Sequence, residues 1–133
     1  MKNVLLIENC AVDAILIKEA LQQNEEHCAV NIVEDGFEAV LLVQNFLKEN
    51  SDETPDLIIA NQELVVINGE NILSLMKAPT NFFIPVILLS SIGSKSPPEF
   101  IKETCCIVNK PLEVKEFMGI FREIKNKWLT FVN

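Results

Sequence analysis

Five polar residues stand at or just beyond the downstream ends of apolar runs: Glu8 and Asn9 after Val4 to Ile7, Asn61 after Leu57 to Ala60, Ser90 after Ile84 to Leu89, and Lys110 after Cys106 to Val108. A carboxylate, two amides, a hydroxyl and an ammonium collected at one edge could grip a ligand. The amide at 61 restricts the chemistry, because it is neither a nucleophile nor a general base. Taken singly, each residue has an ordinary explanation. Ser90 can be a strand-end hydroxyl serving the backbone, Lys110-Pro111 is common turn chemistry, and Asn61 can cap a turn. Their shared placement is what points to a site.

The elements that must position them alternate regularly. Val4 to Ile7 has strand length, and the helical spacing of Ala14, Ile17 and Leu21 follows after Asn9 to Asp13. Ala29 to Val33 reads as a second strand, and Glu34-Asp35-Gly36 turns it into a helix from Phe37 to Leu47. A polar loop, Glu49 to Pro55, leads to a third strand at Asp56 to Asn61, and helical spacing resumes at Ile72, Leu75 and Met76. Ile84 to Leu89 is a fourth strand, a short helix through Phe100, Ile101 and Glu103 follows Pro98, and Cys106 to Val108 is a fifth strand. Leu112 to Lys127 closes the series, with Val114, Phe117, Met118, Phe121 and Ile124 at helical spacing. The pattern predicts an α/β domain of (βα)5 type with right-handed crossovers. Such sheets bind ligands in the crevice outside the carboxyl ends of their strands.

Bulk properties narrow the function. The 133 residues suit one domain, and 49% hydrophobic content with only four glycines is inconsistent with disorder. No apolar stretch approaches the roughly 20 residues that cross a bilayer, and the opening Met1-Lys2-Asn3 lacks a signal-peptide pattern, so a cytoplasmic location without membrane contact is expected. A net charge of −8 argues against nucleic acid as a partner. Cys10, Cys28, Cys105 and Cys106 form no Cys-x-x-Cys pair, and His27 is the sole histidine, so buried free thiols and no metal constellation are expected. Glu8 to Asp13 offers no Gly-rich or Ser/Thr-rich cradle, and its acidic ends would repel phosphate, which argues against a flavin-type cofactor. The apolar ending from Trp128 to Asn133 is too short to fold alone and must dock on the domain's own core or on a second copy.

The stretches Val4 to Glu8, Val33 to Ala39, Pro55 to Ile59, Ile84 to Leu88 and Asn109-Lys110-Pro111-Leu112 together resemble a response regulator receiver domain of two-component signal transduction. The ending Trp128 to Val132 is similar to that of stand-alone receivers associated with bacterial phytochromes. The resemblance implies a flavodoxin-like, doubly wound parallel sheet of five strands in the order 2-1-3-4-5, with a receiver domain over 1–127 and a tail over 128–133. It also implies a phosphorylation site made of an acidic pair after the first strand, an Asp after the third, a Ser or Thr after the fourth and a Lys after the fifth, with the acidic groups holding Mg²⁺. Glu8, Ser90 and Lys110 match. Asn9 replaces an acidic residue and Asn61 replaces the phospho-acceptor. Val65 stands where a Pro is usual, Ile107 stands at the aromatic switch position, and Ile92 to Thr104 is short and poor in helix signal.

These departures set the expectations. An amide cannot form an acyl phosphate, and the roughly −3 charge of three carboxylates falls to about −1, so Mg²⁺ binding is expected to be weak or absent. Lys110, deprived of an Asp partner, should turn to Glu8 or to the Asn61 carbonyl, because a buried ammonium must be paired. The reading is a degenerate receiver, a binding module rather than an enzyme, that acts by phosphorylation-independent protein contact. A sensor histidine kinase or a phytochrome-type pathway component is the expected kind of partner. A homodimer built on Phe117, Phe121, Trp128 and Phe131 is also expected. The alternative is a working phosphorelay receiver using another acceptor such as Ser90 or Asp56, although Asp56 begins its strand, roughly 15 Å from the other end.

Overall fold

The computed structural model describes residues 2–22, 28–49, 52, 54–67, 70–71, 84–91 and 106–129. Five strands, β1 (Lys2–Ile7), β2 (Cys28–Val33), β3 (Leu57–Asn61), β4 (Val86–Ser90) and β5 (Cys106–Asn109), form one parallel sheet in the order β2-β1-β3-β4-β5. Helices α1 (Ala11–Gln22), α2 (Gly36–Lys48) and α3 (Val114–Trp128) accompany it. A 3-10 turn, Gln62–Leu64, and a two-residue antiparallel pair, Val66–Ile67 with Glu70–Asn71, follow β3. The helices expected around Ile72 to Met76 and Phe100 to Glu103 lie outside the described residues. So does the segment Ile92 to Thr104.

Both faces of the sheet are covered, which is why its strands read as continuous apolar runs rather than alternating ones. Leu5, Ile7, Ile58, Ala60, Val86 and Leu88 face the α2 side with Ala39, Val40 and Val43. Val4, Leu6, Leu57, Ile59, Ile87 and Leu89 face α1 and α3. Register aligns the strand ends: Ile7 pairs with Ala60, Asn61 with Leu89, and Ser90 with Asn109. Residues 8, 61, 90 and 110 therefore emerge along one edge. Asp56 sits at the opposite end, where its carboxylate accepts the Asn3 N–H at 2.8 Å.

Several expectations need correction. Phe117 and Phe121 are buried, 4% and 1% exposed, with ring centroids 5.2 Å apart in the core against α1. They recur at i and i+4 with Ile124 at i+7, so they form the stripe that α3 turns inward and not an interface. The helix runs through Trp128, Leu129 is only 2% exposed, and both pack against that same core. Phe131 lies outside the described residues. Of the cysteines, Cys28 is buried and Cys106 half-buried, but Cys10 is exposed, because it opens α1 at the rim of the sheet instead of facing it. Cys105 and His27 lie outside the described residues.

Candidate functional site

Glu8 is the hub. It leaves β1 as the strand passes its last pairing, its backbone N–H donates to Val33 O at 3.0 Å, and its side chain is fully buried. A buried carboxylate must be hydrogen-bonded and paired, and this one is both. Its Oε1 accepts from the backbone N–H groups of Asn9 and Cys10, each at 3.1 Å, and from Asn61 Nδ2 at 2.9 Å. Its Oε2 accepts from Lys110 Nζ at 2.8 Å. Three donors thus share Oε1, and the ammonium takes Oε2.

Asn61 works in two directions. Its Nδ2 donates to Glu8, while its Oδ1 accepts the Glu63 N–H at 2.9 Å and caps the 3-10 turn. The reverse amide orientation would set oxygen against carboxylate and NH₂ against N–H, so the network fixes which atom is which. Asn9 is exposed and gives the network its backbone N–H.

Lys110 Nζ also donates to Asp13 Oδ2 at 2.8 Å, so one ammonium bridges two carboxylates. Asp13 lies in the first turn of α1, where the helix dipole favours an acid. Burial pulls the Lys110 pKa down, but the hydrogen bonds and charges of Asp13 and Glu8 outweigh it and hold the group above its ordinary value. The expected turn of Lys110 toward Glu8 is found, and toward the Asn61 carbonyl is not. Asp13 as a second partner was not anticipated.

Ser90 is fully buried, and its hydroxyl donates to Asn109 Oδ1. Its carbonyl accepts the Lys110 N–H at 2.9 Å. Ser90 thus ties β4 to β5 instead of pointing a free hydroxyl at the Glu8 network. Ile107 packs partly buried against the α2-side core, and Val65 is fully buried there, with an N–H that reaches Gln62 O at 3.4 Å where a Pro could not donate. Beside the network, Val12, Asp13, Leu16, Leu112, Val114 and Phe117 line a cavity of about 230 Å³.

No protein-family model matches the chain. It is 24% identical over 134 residues to the response regulator Rcp1 of Synechocystis sp. (strain ATCC 27184 / PCC 6803 / Kazusa), across 98% of this chain and 91% of that protein. The phosphorylated cyanobacterial phytochrome response regulator RcpA superposes with a TM-score of 0.78 at 27% identity, covering 99% of this chain and 96% of that one. This chain is a response regulator homologue. It has the receiver-domain fold, as does a response regulator from Hahella chejuensis, at TM-score 0.79 and 28% identity over 98% of this chain and 96% of that one.

Rcp1 also has a Mn²⁺-bound structure, which superposes with a TM-score of 0.76 at 24% identity over 100% of this chain and 98% of that one. A divalent ion does not fit the residues of the present chain. Hard cations take oxygen ligands with free lone pairs. Both Glu8 oxygens are committed to donors, Asn61 Oδ1 caps a turn, and an ammonium occupies the space between Glu8 and Asp13. Among the described residues, no group of three or more His, Cys, Asp or Glu side chains could hold a metal ion.

Proposed function

We propose that this receiver domain acts in two-component signal transduction by protein contact, without phosphorylation at position 61. The observation that supports the reading is the Asn61 side chain. Its nitrogen is bonded to Glu8 and its oxygen to the Glu63 N–H, so the strand-end position holds a non-nucleophilic group with both polar atoms engaged. The rival acceptors are badly placed. Ser90 is fully buried with its hydroxyl on Asn109, and Asp56 is bonded to Asn3 at the far end of the sheet. A partner of sensor-kinase or phytochrome-pathway type is inferred from the likeness to RcpA, a cyanobacterial phytochrome response regulator. With Phe117 and Phe121 internal, Trp128 and Phe131 remain of the residues expected to carry self-pairing, which light scattering on the intact protein measures directly.

The test is intact-mass analysis after incubation with Mg²⁺ and acetyl phosphate, with an Asn61→Asp variant alongside. No phosphoryl gain is expected in the wild type. A stable gain there would overturn the reading, and mapping it would name the true acceptor. A gain in the variant alone would place the loss of reaction at one residue.

A further inference from the structure

We propose that the Lys110 ammonium is a built-in cation, clasped between Glu8 and Asp13, that takes the place of a divalent ion and closes this site to metal. The inference builds on the reading of an unreactive site, but it concerns what the remaining acidic groups do. Two carboxylates from different elements, the end of β1 and the first turn of α1, converge on one nitrogen with equal 2.8 Å contacts. Convergence of acids on a point is how a hard cation is held, and here the point is filled by a side chain fixed to the end of β5. The Lys110 side chain is 15% exposed and that of Glu8 fully buried, so water does little to replace either partner.

Charge accounts for the exclusion. Glu8, Asp13 and Lys110 sum to about −1, well short of what a divalent ion needs to leave its own hydration shell. Asn61 reinforces the arrangement, because its Nδ2 adds a further donor to the Glu8 carboxylate and turns a hydrogen, not an oxygen, toward the site. Asp13 is a positioning residue in this scheme: it holds the ammonium from the α1 side.

The prediction inverts the usual effect of a deletion, since removing the lysine should create a metal site. Mn²⁺ titration followed by electron paramagnetic resonance should show negligible binding to the wild type. It should show at least about tenfold tighter binding to Lys110→Ala, where two carboxylates are left facing a vacant position. Adding Glu8→Gln to that variant should erase the gain. Wild-type binding as tight as the variant's, or a folded Lys110→Ala protein that gains none, would overturn the proposal. Should Lys110→Ala not fold, the wild type decides alone. Its Lys110 ammonium resonance should be unchanged by millimolar Mg²⁺, and displacement of that signal would sink the idea. Mn²⁺ binding by the wild type with no phosphoryl mass gain would defeat this inference and leave the proposed function standing, whereas a mass gain would defeat the latter.

Discussion

At the scale of single residues, the amide at 61 is more than a missing nucleophile. It is the neutral donor that lets a buried carboxylate lie beside it. Asn61→Asp should therefore be destabilising at neutral pH, by about 1–3 kcal/mol, because it trades a hydrogen bond for like-charge contact. Glu8 would raise the pKa of the introduced acid. The loss should then shrink as pH falls and the new carboxyl regains a proton to donate, which melting curves of both proteins across acidic pH would show. Lys110 gives the opposite dependence. Its pKa is raised in the folded state, so its contribution is complete below the unfolded value near 10.4 and is lost as pH rises through the folded value. The stability gap between wild type and Lys110→Gln should be flat through neutrality and close only in strong alkali, and a gap closing near neutral pH would contradict the pairing. The pairing of Glu8 with Lys110 was legible in the sequence, because both follow strands that must end at one edge. Asp13 was not, since its reach depends on which way the first turn of α1 faces. Apolar spacing defines the buried side of a helix but leaves the direction of a rim residue open.

At the scale of elements, the alternation of strands and helices was legible because parallel strands covered on both faces are forced to be apolar throughout. The burial of Phe117 and Phe121 was written in the same pattern, since an i, i+4, i+7 apolar stripe is the inward face of an amphipathic helix. Aromatic bulk is no sign of availability. The structure separates two kinds of apolar residue here: Phe121, midway along α3, is 1% exposed, and Leu112, just before that helix, is 86% exposed. Phe121→Ala should cost about 3–5 kcal/mol, and that cost should not vary with protein concentration, as it would for a residue whose burial depends on a second chain. Leu112→Glu should shift stability by no more than about 0.5 kcal/mol. Denaturant titrations at two protein concentrations measure both, and a concentration-dependent Phe121→Ala effect would return that ring to an interface.

At the scale of the whole molecule, the site must be set against a net charge of −8. An excess of like charge strains the compact state by self-repulsion, and added salt relieves it as the screening length falls from about 30 Å at 0.01 M to about 8 Å at 0.15 M. The Glu8–Lys110 contact is buried and should be screened little, so the melting temperature should rise with NaCl over this range. Magnesium offers the sharper comparison. A receiver that binds a divalent ion in its native state gains stability by mass action on top of screening, whereas one whose acidic groups already hold an ammonium gains screening alone. At matched ionic strength, MgCl₂ and NaCl should therefore give the wild type the same melting temperature. Lys110→Ala should melt higher in MgCl₂ than in NaCl, because only there does the fold leave two carboxylates for the ion to join. An extra rise in the wild type would mean that its acidic edge accepts divalent ions after all, and the internal cation would then be one occupant of that edge among others.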